Sequence, residues 1–145
     1  MREPGFLLDT NVLSELMRPK PALEVLAWFE RQQKTAFHVS SVTRAEIFLG
    51  IALLPTGKRR DELAIAAERM FAEDFPGLCL AFDDSCATKY AELVANRTQN
   101  GQPITTEDAQ IAATALSRSL TLATRNTKDF TSIDGLVLAD PWSHQ

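Results

Sequence analysis

Phe6-Leu7-Leu8-Asp9-Thr10-Asn11-Val12-Leu13-Ser14-Glu15 is the stretch on which the reading of this chain turns. Three apolar residues run into an aspartate, the pattern of a short buried strand that stops at a polar end. Asp9 or Thr10 then caps a helix to about Met17. Working outward, the same alternation recurs. Pro21 suits the start of a helix from about Ala22 to Gln33, whose apolar positions Leu23, Leu26, Ala27 and Phe29 recur at helical spacing. Phe37 to Ser40 reads as a second strand, followed by a helix from Val42 to Leu54 that Pro55 and Gly57 stop. A helical pattern over Lys58 to Asp74 precedes a third strand, Leu78 to Phe82. Asp83 or Asp84 caps a helix through Arg97, and Thr105 or Thr106 opens another to about Arg118. Strands are expected at Leu120 to Thr124 and Leu136 to Leu138. Strands alternating with helices imply βαβ units, hence an α/β fold with a parallel sheet of about five strands covered on both faces. No repeat or linker divides residues 1–145, so one domain is expected.

The 145 residues are 45% hydrophobic and 23% charged, an ordinary globular balance that needs no staples. Cys79 and Cys86 are too few for a disulfide framework and read as reduced packing residues. No stretch approaches the ~20 apolar residues of a membrane span. Met1-Arg2-Glu3-Pro4-Gly5 lacks a signal-peptide layout, so a cytoplasmic protein is expected. The net charge of −4 argues against a nucleic-acid binder. A carboxylate site would itself make the chain acidic, and bound divalent cations would offset part of that charge.

Several acids sit where acids are unusual. In a parallel sheet, ligands bind outside the carboxyl ends of the strands, where Asp9 lies; the plainer reading is a helix cap. Glu46 shares a helical face with Val42, Ala45, Leu49, Gly50 and Leu53, which leaves it no obvious wet side. Arg44, two residues away on the helix, cannot face it, and a salt bridge to a distant arginine is the structural alternative. Thr105-Thr106-Glu107-Asp108 matches a capping box, yet Asp108 shares the inward stripe of Ile111, Ala112 and Ala115. Asn126 and Asp129 follow a later strand and read equally well as turn and surface residues. Carboxylates converging at one sheet edge repel unless a divalent cation sits among them, and hard oxygen donors favour Mg²⁺ or Mn²⁺. Such a site can activate water for attack on a phosphodiester.

At these residues the sequence resembles the PIN-domain ribonuclease family, specifically the VapC/FitB-type toxins of bacterial toxin-antitoxin pairs. The likeness spans the chain: the opening Phe6 to Glu15, then Val42-Thr43-Arg44-Ala45-Glu46-Ile47-Phe48-Leu49-Gly50, then Asp108 to Ala115, then Leu122 to Asn126 with Asp129-Phe130 and Pro141-Trp142. The resemblance implies a PIN-like three-layer α/β/α domain and a metal-dependent endoribonuclease holding Mg²⁺ or Mn²⁺. Asp9, Glu46 and Asp108 would be its catalytic, metal-binding acids. Some relatives carry an acid where this chain has Asn126, so Asn126 and Asp129 are secondary metal candidates. The family also implies an RNA substrate, a homodimer, and a small VapB-type antitoxin that occludes the site. An antitoxin arginine reaching the acidic pocket would suit guanidinium-carboxylate pairing. Arg18, Lys20, Arg44, Arg125 and Lys128 are the candidate RNA contacts. Lys58-Arg59-Arg60 reads as a solvated helix start, Trp28 and Trp142 as packing residues rather than base-stacking platforms, and His38 and His144 carry no assigned catalytic role.

Two rival classes make different demands. A haloacid-dehalogenase-like phosphatase needs a second acid two residues after the nucleophile, where this chain has Asn11. A non-catalytic module is the other: a receiver-type domain wants paired acids after the first strand, whereas Asp83-Asp84 follows the third. A PIN fold that only binds a partner predicts no metal-dependent cleavage.

Overall fold

Strand β1 (Gly5–Leu8) alternates its side chains between two faces, and each face feeds a separate core. Leu7 and Leu8 are both fully buried, Leu7 with Leu93, Ile111 and Leu122, Leu8 with Val12, Trp28 and Val39. The computed structural model describes residues 5–32 and 36–143. Met1–Pro4, Gln33 and His144, each part of a reading above, lie outside them. The other elements are α1 (Thr10–Leu16), α2 (Leu23–Arg31), β2 (Ala36–Ser40), α3 (Ser41–Ala52), α4 (Lys58–Arg69), β3 (Cys79–Leu80), α5 (Asp84–Gln99), α6 (Thr106–Arg118), β4 (Thr121–Ala123) and β5 (Leu138–Ala139).

All strand pairings are parallel, in the order β3-β2-β1-β4-β5. Helices α1 to α4 contribute to the core on one face, and α5 and α6 to the core on the other. The result is the three-layer α/β/α arrangement expected from the alternation. The chain leaves β1 for β2 on one side and returns to β4 on the other, so the order reverses beside β1. That switch point opens a crevice at the carboxyl ends of β1 and β4.

Several expected boundaries move, each for a local reason. The helical stretch from Lys58 ends at Asp74 as expected, but α4 gives way at Met70 to a π-helical turn, Met70–Asp74, which places the buried Phe71 in the core with the buried Phe75 directly after it. β3 is two residues long, not five, because its partner β2 ends at Ser40, whose hydroxyl caps α3 by accepting from Thr43 N at 3.0 Å. The final strand forms at Leu138–Ala139, later than expected, where Leu122 and Ala123 of β4 offer pairing partners. α2 buries Val25 and Trp28, while Leu23 and Leu26 are exposed. The aromatic cluster of Trp28 with Phe6, Phe29 and Phe37, at centroid distances of 4.8 to 6.0 Å, decides which face turns in. Cys86 is buried as expected, but Cys79 is exposed. No helix among the described residues is long and apolar enough to cross a membrane.

Candidate active site

β1 hands the chain to α1 at Asp9. Its backbone stays extended, and its N–H still donates to Ala123 O at 2.9 Å, so Asp9 is fixed to the end of β4. The side chain caps α1 by accepting from Thr10 N at 2.8 Å, as the plainer reading required. Its other oxygen accepts from the Thr124 hydroxyl at 2.7 Å and from Asn11 Nδ2 at 3.4 Å. Asp9 is 5% exposed. Burial pushes its carboxyl up to about 6; the bonds from Thr124 and Thr10 pull down, and the charges of Asp108 and Glu46 add to the rise. Capping and site roles are therefore compatible in one residue.

Glu46 is half-buried on α3, not enclosed, because Leu49 and Leu53 of its apolar face lie at 59% and 76% exposure. Its Oε1 accepts from Thr10 Oγ1 at 2.6 Å. Thr10 and Thr43 hydroxyls stand 3.0 Å apart. With the Thr10 proton given to Glu46, the Thr43 hydroxyl is left to donate to Thr10. α1 and α3 are thus bridged at the carboxylate itself. The structural alternative of an arginine partner is not met: no ion pair to Asp9, Glu46 or Asp108 occurs among the described residues.

Asp108 sits in the first turn of α6, where its N–H donates to the capping Thr105 hydroxyl at 3.2 Å. Burial raises its carboxyl; Thr105 lowers it, and Asp129 and Glu107 raise it again. Asp9, Glu46, Asp108 and Asn126 line one cleft of about 540 Å³, with Thr10, Asn11, Ser14, Glu15, Arg18, Arg125 and Trp142. Asp129 is exposed and not part of this lining, though Asp108 feels its charge. Among the described residues, no three acidic, histidine or cysteine side chains close on a common point. The three acids line one space without forming a finished ligand cage. Their donor set, carboxylate oxygens with an amide oxygen from Asn126, suits a hard divalent ion.

Of the five candidate RNA contacts, Arg18 and Arg125 line the cleft, whereas Lys20, Arg44 and Lys128 do not. Arg44 lies over the rings of Phe48 and Phe71 at 4.8 and 4.9 Å, a contact that draws it to the far side of α3. Arg18 is paired with Glu15 at 3.2 Å. Glu15 was not singled out from the sequence, yet it is 6% exposed and lines the cleft. Ala22 N donates to it at 2.8 Å, and that bond, with Arg18, holds its carboxyl below the usual range. Its charge is paired with Arg18, which sets it apart from the other three acids. The i to i+3 spacing of Glu15 and Arg18 was the available signal. The threonines Thr10, Thr43 and Thr124 gave none.

The phosphatase and receiver-type readings fail on contacts. Asn11 is an amide that donates to Asp9, not an acid two residues on. Asp83 caps α5 and binds Arg118 at 2.8 Å, so the Asp83-Asp84 pair is absent from the cleft.

Comparison with known proteins agrees with this architecture. The PIN domain family model matches residues 6–136. Toxin FitB of Neisseria gonorrhoeae is 40% identical over 136 residues, covering 94% of this chain and 97% of that protein. VapC ribonuclease Y4jK of Sinorhizobium fredii is 39% identical over 139 residues, covering 94% and 96%. The crystal structure of FitAcB from Neisseria gonorrhoeae superposes with a TM-score of 0.85 at 38% identity, covering 96% of this chain and 99% of that one. The chain belongs to the PIN domain family.

Proposed function

We propose that this protein is a metal-dependent endoribonuclease, the toxin of a VapC/FitB-type toxin-antitoxin pair, acting on RNA in the cytoplasm. The observation that carries the reading is the meeting of Asp9, Glu46 and Asp108, from three separate elements, in one cleft with no ion pair to any of them among the described residues. Unpaired carboxylates gathered at a sheet switch point cost stability, and a divalent cation would repay that cost. Relatives named a ribonuclease and a toxin, at 39% and 40% identity over nearly the whole chain, support the same activity.

Asp9, Glu46 and Asp108 would hold Mg²⁺ or Mn²⁺, with Asn126 as a neutral oxygen donor and Asp129 adding charge nearby. The ion, when bound, supplies a water of lowered pKa and a counter-charge for the phosphate. Thr124 and Thr10 fix the orientations of Asp9 and Glu46. Arg125 and Arg18 at the rim would bind the RNA backbone; Lys20, Arg44 and Lys128 lie outside the cleft and are not needed for this step. A homodimer and a small antitoxin complete the proposal. An apolar groove lined by Met17, Ile47, Ile51, Leu54 and Leu63 runs into the cleft at Thr10, Ser14, Arg18 and Glu46. An antitoxin helix seated there could extend an arginine to the acids.

Antitoxin-free protein incubated with cellular RNA should cleave only when Mg²⁺ or Mn²⁺ is added. Asp9→Asn, Glu46→Gln and Asp108→Asn should each abolish cleavage while the fold persists. Metal-independent cleavage, or full activity in these variants, would reject the assignment. A folded, metal-binding protein that cuts no RNA would instead mark a binding-only PIN fold.

Thr10 is expected to act through Glu46. Thr10→Val removes the 2.6 Å bond and strands the Thr43 hydroxyl, so cleavage should fall about tenfold or more, the loss of roughly 1.5 kcal/mol for a bond to a charged group. Thr10→Ser keeps the hydroxyl and should recover most of it. Equal activity in the valine and serine variants would remove Thr10 from the site.

A further inference from the structure

The sequence marks Trp142 as packing, but the fold brings it to the rim of the acidic cleft. Pro141 beside it is buried, and Trp142 N donates to Asp140 Oδ1 at 2.9 Å, which fixes the backbone that carries the ring. The indole packs in part against the α1 to α4 core. Over the ring, 4.9 Å from its centroid, lies the guanidinium of the exposed Arg125. Arg125 N also donates to Asn11 Oδ1 at 3.3 Å, so its backbone is tied to the residue two beyond Asp9. One planar cation is therefore held between an indole and the open cleft that contains the acids. Guanidinium planes and aromatic rings are the surfaces on which unpaired bases stack.

From this arrangement we propose that Arg125 and Trp142 form a nucleobase-stacking platform that selects single-stranded RNA by seating one base beside the acidic site. The proposal rests on the ribonuclease reading. It departs from a simple phosphate contact, because the planar guanidinium on its indole, and not the charge alone, does the recognising. A base in a duplex is already stacked on both faces and cannot use the platform without being unpaired. Bases are accepted by face, so purines, with the larger ring area, bind better than pyrimidines.

The test uses metal-free protein and 2′-O-methyl oligonucleotides, which leave no cleavage to confuse binding. Fluorescence anisotropy compares octaadenylate, octauridylate, an abasic octamer and an adenine-uracil duplex of the same length. Wild type should bind octaadenylate most tightly, octauridylate next, and the abasic chain and duplex weakly. Stacking of one base predicts a gap of about 5- to 100-fold between adenylate and abasic chains. Arg125→Lys keeps the charge and the salt dependence but loses the planar fork, and should collapse that gap. Trp142→Leu should do the same, and the surface change Arg125→Lys stands as the decisive variant if Trp142→Leu unfolds. A gap that survives in Arg125→Lys, or equal binding of adenylate, abasic and duplex probes by wild type, would overturn the platform. Metal-dependent cleavage by the same wild-type preparation shows whether the ribonuclease reading stands when the platform falls; loss of both binding and cleavage overturns the two together.

Discussion

Asp9→Asn is expected to make the metal-free protein more stable at pH 8, not less, while it removes activity. Asp9 is 5% exposed, and burial raises its carboxyl from the ordinary 3.8 to about 6. Between those values the folded chain keeps a proton that the unfolded chain has released. Stability contributed by the protonated form is therefore full below about pH 4 and is lost as pH rises through 6. Above pH 6 the ionised carboxylate costs the fold about 3 kcal/mol. Asparagine never ionises and escapes that cost, although it gives up some of the favourable charge at the start of α1, about 0.5 kcal/mol. It still caps the helix. Thermal melts in EDTA should show the variant higher at pH 8 by about 5 to 10 °C, with the difference shrinking toward pH 4. Adding Mn²⁺ should reverse the order, because only wild type gains binding energy in the folded state. A variant no more stable than wild type at pH 8 would show that Asp9 is not strained by its burial.

The frame of the fold was legible because it depends on patterns that short segments carry. The apolar run before Asp9, the strand-helix alternation and the stop at Pro55 and Gly57 each state a local preference that the tertiary structure keeps. Asp9 and Asp108 were legible for a related reason: each is an acid at an element boundary. Glu46 was found for an incomplete reason. Its helix is apolar in sequence, but Leu49 and Leu53 face outward, so its half-burial comes from contact with α1 and not from an enclosed face. Sidedness of a helix that is apolar all round is set by its neighbours, and periodicity carries no information about them. The same limit hid the inward face of α2, where one aromatic cluster outweighs two leucines. Contacts between residues far apart in the chain were out of reach altogether: Thr10 with Glu46, Thr124 with Asp9, and Arg125 with Trp142.

Arg97→Met is expected to cost about 3 kcal/mol of stability, because the guanidinium of Arg97 serves three backbone carbonyls at once. Arg97 stands in the last turn of α5 and is 7% exposed. Its Nε donates to Gln102 O at 2.8 Å, Nη1 to Thr131 O at 2.6 Å and Nη2 to Asp129 O at 3.2 Å. No carboxylate pairs with it among the described residues; the charge is met by carbonyl dipoles alone. These bonds tie the turn after α5 to the 3-10 turn Thr127–Phe130, which begins beside Asn126. Methionine fills much of the stem's volume but takes the charged donor from all three carbonyls. Lysine can satisfy one or two of them and should fall between the two. The same loss should reach the site, since Asn126 O accepts from Asp129 N at 2.9 Å within the turn that Arg97 holds. Denaturant titration should place Arg97→Met about 3 kcal/mol below wild type, and calorimetry of the still-folded variant should show weaker Mn²⁺ binding. Retained stability would mean that water replaces the guanidinium at little cost. Lost stability with unchanged Mn²⁺ affinity would separate the staple from the site and leave the Asn126 turn held by Phe130, which is buried in the α5-α6 core.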